Sequence, residues 1–210
     1  MTITVVDMRI SNLASVLQSL RQVNAPPYQF ATKDNLERAT AIVLPGVGAF
    51  GDGMSSLSHL GLVEPLRKAA KAGIPILGIC LGMQLLADSS EEFGLHEGLG
   101  LIPGQVKRLD SRGTEFRVPN IGWCDVVSRR PSVLLPAVGD RCFYHIHSYY
   151  MAPADSSVIT GTIEFAGAPH AVAVEKDNML GVQFHPEKSQ DDGLQVLANF
   201  LAAIPLLRKS

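Results

Sequence analysis

The residue of this sequence best suited to chemistry is a cysteine between two glycines, in Gly78-Ile79-Cys80-Leu81-Gly82. The segment stands between an apolar run and a helical pattern, with the spacing of a nucleophile elbow in which cysteine replaces serine. The glycines permit the tight turn, and free N–H groups at the first turn of the following helix favour a thiolate. The alternative interpretation is a buried cysteine at the end of a core strand, where a free thiol packs well.

A histidine and a glutamate two positions apart form the second feature, in Gln183-Phe184-His185-Pro186-Glu187. Residues two apart on an extended segment point the same way, and Pro186 keeps His185 extended. Glu187 is therefore placed to orient the imidazole, as the third group of a triad does. An isolated His-x-Glu is more often a surface pair, but this one closes an apolar strand, as Cys80 does. Because parallel strands end at one edge of a sheet, the two features together predict a triad of Cys80, His185 and Glu187.

A glycine-rich loop follows the apolar run 41–44 and reads Pro45-Gly46-Val47-Gly48-Ala49-Phe50-Gly51. Taken literally it contains G-x-G-x-x-G, the fingerprint of dinucleotide-binding domains. Pro45 interrupts the turn, however, and no acidic residue ends a strand about twenty positions later, since Glu64 lies in a helical pattern. The other use of such a loop is an oxyanion hole, because glycines let backbone N–H groups turn towards a developing negative charge. A dinucleotide-binding domain stays the alternative from a different functional class.

No metal site is expected from the remaining polar residues. His145 and His147 share a strand face, but Cys142 falls on the opposite face and no third ligand is apparent. The nearby aromatic residues are expected in the core: Trp123, Phe143 and Tyr144.

Composition predicts a single domain over residues 1–210. Hydrophobic residues make up 46% of the 210-residue chain and charged residues 18%, which is far from the signature of disorder. The net charge of −2 leaves no basic footprint, so neither nucleic acid nor a membrane surface is expected as a partner.

Cysteine spacing and the apolar segments bear on the cellular compartment. Three irregularly spaced cysteines form no disulfide framework, and the first residues read as a strand instead of a signal peptide. The longest apolar stretch, residues 74–87, is too short to cross a bilayer. The sequence therefore favours a cytoplasmic protein with reduced thiols.

Hydrophobic periodicity changes near residue 100. Before it, apolar runs alternate with helical patterns, as in a parallel sheet covered on both faces. After it, strand-like runs follow one another, so antiparallel pairing is expected: Gln105–Leu109, Cys124–Val127, Arg141–Tyr150, Val158–Phe165, Ala171–Val174 and Leu180–Phe184. A final helix follows Ser189-Gln190-Asp191-Asp192, which resembles a capping box. These patterns predict an α/β fold with three layers around an open mixed sheet.

Taken together, the elbow, the Gln183–Glu187 segment and the glycine-rich loop resemble the class I (triad) glutamine amidotransferases, over nearly the whole chain. The resemblance implies the flavodoxin-like fold of that family. Within the family, the chain is most similar to the branch that supplies ammonia for imidazole glycerol phosphate and an aminoimidazole ribotide in histidine biosynthesis. The segments that carry this similarity are Leu44–Phe50, Pro119–Trp123, His147–Tyr149 and His185–Ser189.

The resemblance also implies roles for single residues. Cys80 would attack the side-chain amide of L-glutamine, His185 would carry the proton to departing ammonia and then activate water, and Glu187 would orient His185. The oxyanion hole would be formed by Gly46, Val47, Gly48 and Leu81. The glutamine would be held by Gln84, Glu92, Ser148 and Tyr149. No cofactor is implied.

A protein partner is implied as well, because the family passes ammonia to a separate (β/α)₈ cyclase subunit. The expected heterodimer contact involves Arg9, Asn12 and Lys188. One loop departs from the family: where D-Y-G-x-G-N is usual after the first strand, this chain reads Asp7-Met8-Arg9-Ile10-Ser11-Asn12. In the family this loop faces the partner. The departure leaves open a paralogous glutaminase that serves an enzyme aminating surface-polysaccharide sugars.

Overall fold

The first half of the chain alternates strands and helices, as its periodicity predicts. The computed structural model describes residues 2–10, 12–135 and 141–208, so Ser11 lies outside the described residues. In chain order the elements are β1 (Ile3–Val5), α1 (Leu13–Gln22), β2 (Tyr28–Phe30), β3 (Ala41–Gly46), α2 (Phe50–His59), α3 (Val63–Lys71), β4 (Ile76–Cys80) and α4 (Leu81–Gln84). The helix α4 after the elbow has only four residues.

The second half is rich in strands and ends in one long helix, which confirms the change of pattern near residue 100. Its elements are β5 (Ser89–Ser90), β6 (His96–Glu97), β7 (Gly104–Arg108), β8 (Asn120–Ser128), β9 (Arg141–His147), β10 (Tyr149–Pro153), β11 (Ile159–Phe165), β12 (Ala168–Lys176), β13 (Met179–Val182) and α5 (Gln190–Leu207). Short 3₁₀ turns cover Leu36–Arg38, Ser156–Val158 and Pro186–Lys188.

A mixed sheet of nine strands in the described residues runs β2-β1-β3-β4-β13-β12-β11-β8-β9. The pairs from β2 to β13 are parallel and the pairs from β13 to β9 are antiparallel. The parallel part has the 2-1-3-4-5 order of flavodoxin-like sheets, in which ligands bind beyond the carboxyl ends of the strands. The carboxyl ends of β3, β4 and β13 are therefore the expected place for a site.

Alternation along the central strands divides the core into two apolar clusters. Leu44 of β3 packs on one face of the sheet with Leu66 of α3. Its neighbour Val43 packs on the other face with Leu20 of α1 and Phe200 of α5. Successive side chains of a strand point to opposite faces, so a strand buried on both faces reads as an unbroken apolar run. The predicted three-layer α/β arrangement is confirmed.

The run Arg141–Tyr150, predicted as one strand, is divided between two sheets. β9 pairs with β8 in the large sheet, whereas β10 pairs with β7 in a second sheet of order β10-β7-β5-β6. The prediction of one strand is wrong because strand-forming residues continue on both sides of Ser148, the residue at the break. Ser148 is thus the point at which the chain passes from one sheet to the other.

Ser189 precedes α5 as predicted, but its side chain does not cap that helix. Its Oγ donates to the carbonyl oxygen of His185 at 2.6 Å and accepts the N–H of Tyr144 at 3.0 Å. The capping-box prediction is wrong because the hydroxyl is already used by these two backbone groups. Ser189 instead ties the backbone of His185 to β9.

Two further observations concern residues 2–10, 12–135 and 141–208. No helix there combines the length and apolar character that crossing a bilayer requires. Cys80, Cys124 and Cys142 are free cysteines, with Cys80 buried and the other two partly buried.

Candidate active site

Cys80 occupies a strained turn between β4 and α4. Its backbone has φ 53° and ψ −111°, a conformation that non-glycine residues rarely adopt. A Cβ on Gly78 would lie 2.6 Å from the carbonyl oxygen of Gly82, and a Cβ on Gly82 would overlap the carbonyl oxygen of Leu44. Both glycines of the elbow are therefore required by close backbone approach, and the turn they permit presents Cys80 at the carboxyl end of β4.

His185 follows β13, the strand beside β4, and its imidazole is buried. Its Nδ1 lies 2.8 Å from Oε1 of Glu187, whose side chain is only 2% exposed. The backbone is held as well, since His185 N–H donates to Tyr144 O at 3.0 Å and the carbonyl accepts from Ser189. The arrangement fixes both the position of the ring and the nitrogen that faces the carboxylate.

The electrostatic surroundings of His185 favour the imidazolium. Burial alone lowers the pKa of His185, but its interactions with Cys80 and Glu187 outweigh burial and raise the pKa to about 10. Within the described residues, Nε2 of His185 is buried and has no well-aligned hydrogen-bond partner. The imidazole thus has one nitrogen committed to Glu187 and the other free for chemistry beside the thiol.

The glycine-rich loop Gly46–Gly48 faces Cys80 from the end of the neighbouring strand, because Gly46 of β3 pairs with Cys80 of β4. The amide of Val47 donates to the carbonyl oxygen of Ile10 at 2.9 Å. Gly48 has φ 95°, where a side chain would be strained, although a Cβ there would meet nothing within 4 Å. The Val47 N–H is thus occupied by the loop after β1 and is unavailable to an oxyanion in this conformation.

Gln84 and Glu92 are both anchored inside the protein. Nε2 of Gln84 donates to Tyr149 O at 3.0 Å and to Gln183 Oε1 at 2.9 Å. Oε2 of Glu92 accepts the N–H of Phe50, the first residue of α2, at 2.7 Å. Burial raises the pKa of Glu92, and the hydrogen bond from Phe50 opposes that rise. The Glu92 carboxylate therefore caps the helix that begins directly after the glycine-rich loop.

One cavity of about 410 Å³ collects most of these groups. Its walls are formed by Asn12, Val47, Gly48, Cys80, Leu81, Gln84, Glu92, Ile146, His147, Ser148, Tyr149, His185 and Lys188. Gly46 lies behind the wall, next to Met8 and Leu81, and Glu187 lies behind His185. Arg9 is exposed and does not line the cavity. The volume suits an amino acid with a few polar anchors.

An exposed apolar face adjoins the mouth of the cavity. Trp123 is 48% exposed, so its prediction as a core residue is wrong, and Tyr144 is only half-buried. Phe143 is fully buried as predicted. Ile121 of β8 pairs with Ile146 of β9, and both are exposed. The sequence carries a signal for this face, because Ile121 and Trp123 alternate with polar or small residues. Alternation shows that the two side chains share one face of the strand, but it does not show whether that face points to the core or to the outside.

Lys188 belongs to the same face. Its Nζ lies 5.7 Å from the ring centroid of Tyr144, and that ring packs edge-on against Trp123. A cation and several aromatic or aliphatic side chains exposed together are typical of a protein-binding surface. We call residues Ile121, Trp123, Tyr144, Ile146 and Lys188 the apolar face.

His145 and His147 form a buried pair. Nδ1 of His147 contacts Tyr149 O at 2.9 Å, and Nδ1 of His145 lies 3.2 Å from Nε2 of His147. Burial lowers the pKa of His147 to about 4 and places the pKa of His145 well below its usual value. In the part of the chain that the structure describes, no group of three or more His, Cys, Asp or Glu could hold a metal ion.

Comparison with known proteins places this geometry in a family. Residues 4–204 match the family model described as glutamine amidotransferase class-I. The "Imidazole glycerol phosphate synthase subunit HisH" of Moorella thermoacetica is 44% identical over 199 residues, covering 94% of this chain and 93% of the relative. The HisH subunit of Synechocystis sp. is 45% identical over 206 residues, covering 97% of each chain.

Solved structures with the same fold are more distant in sequence. The structure of PurLQS from Thermotoga maritima has a TM-score of 0.74 at 20% identity, covering 96% of this chain and 97% of that chain. A structure titled "Crystal structure of glutamine amidotransferase" has a TM-score of 0.73 at 18% identity and covers 99% of both chains. At these identities the likeness concerns the fold.

Proposed function

This chain belongs to the class-I glutamine amidotransferase family, and we propose that it is the glutaminase subunit of an imidazole glycerol phosphate synthase. It hydrolyses L-glutamine to glutamate and ammonia and passes the ammonia to a cyclase in histidine biosynthesis. The observation that carries the proposal is the buried His185–Glu187 pair beside a cysteine held in a strained elbow. Such an arrangement is suited to nucleophilic attack on an amide.

The first half of the reaction uses Cys80 as nucleophile and His185 as acid. The Cys80 sulfur attacks the side-chain amide carbon of glutamine, and the C–S bond forms as the carbonyl electrons move onto oxygen. When the tetrahedral intermediate collapses, the C–N bond breaks and His185 supplies the proton that the leaving ammonia requires. The raised pKa of His185 supports this role, because the ring holds a proton in the resting site.

The second half hydrolyses the γ-glutamyl thioester. His185, now neutral, takes a proton from water as the water oxygen attacks the thioester carbon. Collapse breaks the C–S bond, releases glutamate and restores the thiolate. Glu187 keeps Nδ1 protonated and stabilises the positive ring in both halves.

The oxyanion of both tetrahedral intermediates needs N–H donors from the glycine-rich loop and from Leu81. Because Val47 N–H is bound to Ile10 O, we propose that the loop must turn before the hole is complete. The peptides around Gly48 rotate at low steric cost, which permits such a change. The glutaminase is therefore expected to be slow until the partner is bound.

The partner is proposed to be a (β/α)₈ cyclase subunit that docks on the apolar face and on the loop containing Arg9 and Asn12. Lys188 lines the cavity and belongs to the apolar face, so it joins the catalytic site to the docking surface. The HisH relatives favour this partner over the sugar-amidating alternative. Free cysteines fit a cytoplasmic location, where thiols stay reduced.

The test is an assay of glutamate release from L-glutamine with the cognate cyclase present. The wild-type pair should release glutamate, whereas a Cys80→Ala pair should release none above background, because no other nucleophile stands in the elbow. Alanine fits the same turn, so Cys80→Ala should still bind the cyclase and the pair should still use added ammonia. Glutamate release by the Cys80→Ala pair at the wild-type rate would refute the proposal.

A further inference from the structure

We propose that Gln183 is a positioning residue for the reaction: its side-chain amide donates a hydrogen bond to the sulfur of Cys80 and stabilises the thiolate. The inference rests on the proposed function, since it takes Cys80 as the nucleophile. Nε2 of Gln183 lies 3.7 Å from Sγ of Cys80, within hydrogen-bond reach for sulfur, and Gln183 is completely buried.

The backbone carbonyl of Tyr149 fixes the direction of this hydrogen bond, because it orients the amide of Gln84, which in turn orients the amide of Gln183. The carbonyl oxygen of Tyr149 can only accept, so the Gln84 group that faces it at 3.0 Å must be Nε2. The second hydrogen of that Nε2 points to Gln183 at 2.9 Å, and the Gln183 atom there must therefore be Oε1. Nε2 of Gln183 is then left facing the sulfur. The chain of donors runs from Gln84 through Gln183 to Cys80.

The opposite orientation of Gln183 is unfavourable. It would place two N–H groups against each other between Gln84 and Gln183, and it would turn a carbonyl oxygen towards the thiolate. Both side chains are buried, Gln84 being 5% exposed, so an unsatisfied polar group there carries the full cost of desolvation. The backbone N–H of Gln183 donates to Val172 O at 2.8 Å, which holds the residue in line with β12.

A hydrogen-bond donor to the sulfur supplies stabilisation of the Cys80 thiolate that the helix after the elbow supplies only weakly. The helix after Cys80 has only four residues, too few to build a substantial helix dipole. A hydrogen bond to an ionised acceptor is stronger than one to a neutral acceptor, so the Gln183 N–H favours the thiolate over the thiol. The same donor assists the second half of the reaction, in which the sulfur leaves as a thiolate.

The test measures the rate at which Cys80 is alkylated, in the absence of glutamine and of a partner. In a Cys124→Ser/Cys142→Ser background, iodoacetamide alkylates Cys80: the thiolate sulfur forms a C–S bond and iodide leaves. Gln183→Met, which keeps the bulk but removes the donor, should move the midpoint of the alkylation pH profile upward by about one unit, which slows alkylation by about tenfold at pH values below the wild-type midpoint. Gln105→Met, an exposed change in β7, should leave the profile unchanged.

An unchanged pH profile in folded Gln183→Met protein would overturn the inference. A second measurement needs no Gln183 variant. In protein labelled with ¹⁵N-glutamine, the Gln183 side-chain amide resonance should titrate at the alkylation midpoint in the wild type and stay flat in Cys80→Ala. Equal behaviour in the two proteins would also overturn the inference. Failure of the proposed function is distinguishable, because it would appear as wild-type protein that releases no glutamate with the cyclase.

Discussion

The two walls of the catalytic cavity are held in different ways. On the sheet edge, the side chains of Cys80, His185 and Glu187 are buried, and His185 is fixed through its ring, its backbone N–H and its backbone carbonyl. On the facing loop, the Val47 N–H is bound to Ile10 in a segment that ends at exposed Asn12. In the mechanism proposed above, the nucleophile is therefore in place while a donor of the oxyanion hole is still bound elsewhere. That mechanism predicts that the glycine-rich loop, and not the triad, limits activity.

The largest expected effect comes from replacing His185 or Glu187. His185→Asn should lower the kcat of glutamine hydrolysis by roughly 10²–10⁴, because both proton transfers lose their acid and base. Glu187→Gln should cost less, since an amide still contacts Nδ1 but no longer stabilises the imidazolium. Steady-state assays with the cyclase present compare the two. A Glu187→Gln enzyme as slow as His185→Asn would show that orientation and proton transfer are not separable here.

Glu92 lines the cavity and accepts the N–H of Phe50 after the glycine-rich loop, and in the proposed function it also holds the substrate. Its replacement is therefore expected to act on binding. Glu92→Gln keeps an acceptor for Phe50 N–H but loses the negative charge that suits the ammonium group of glutamine. KM should rise by about tenfold with a smaller change in kcat, as expected when a charge-assisted contact is lost. The matched control is Glu91→Gln, whose carboxylate accepts from Arg108 N–H on the protein surface. A fall in kcat with unchanged KM would show that Glu92 supports the glycine-rich loop and does not bind the substrate.

The loop after β1 should show its effect through the choice of partner. The cognate cyclase should stimulate hydrolysis more than a cyclase whose natural glutaminase has the D-Y-G-x-G-N loop, by roughly threefold to tenfold, because contacts at a rim are worth little each. Side-by-side stimulation curves measure this difference. Arg9→Gly should reduce the difference in stimulation between the two cyclases. Identical stimulation curves of the wild-type chain with both cyclases would show that the loop substitutions are neutral.

A last effect concerns the free energy of unfolding at alkaline pH and not the rate of catalysis. The pKa of His185 is raised from 6.5 to about 10 in the folded protein, so its stabilisation is fully present below about pH 6.5 and is lost as pH rises towards 10. The difference between wild type and His185→Asn in free energy of unfolding should therefore shrink between about pH 6 and about pH 9.5. Urea titrations of both proteins at the two pH values measure this difference in the free energy of unfolding. A constant difference would show that the imidazolium is not stabilised by folding.

The sequence predicts the side of the site that holds Cys80, His185 and Glu187 better than the side formed by the glycine-rich loop. The spacing of glycines around Cys80 and the His-x-Glu pair depend on local geometry, and such geometry is visible in sequence. The break at Ser148 and the hydrogen bond from Val47 to Ile10 depend on elements that meet only in the folded chain. Spacing alone carries no signal for them.

Two residues illustrate the same limit at the level of single side chains. Ser189 has the sequence of a helix cap, yet its hydroxyl is taken by Tyr144 and His185, which come from other elements. Gln183 stands next to the predicted triad, but its contact with Cys80 depends on Gln84 and Tyr149 fixing its amide. Sequence spacing identifies Cys80, His185 and Glu187, whereas the contacts of Ser189 and Gln183 become apparent only from tertiary hydrogen bonds.

The central claim, an assembled nucleophile with an unfinished oxyanion hole, is tested most directly on the isolated wild-type chain by measuring two rates together. Iodoacetamide should alkylate Cys80 at pH 7 faster than Cys142, whose thiol pKa is raised by burial and by Asp125. Glutamate release by the same sample should be roughly 10²–10³ below that of the complex with its cyclase, the cost of a missing oxyanion donor. Slow alkylation of Cys80, or full glutaminase activity without a partner, would contradict the account.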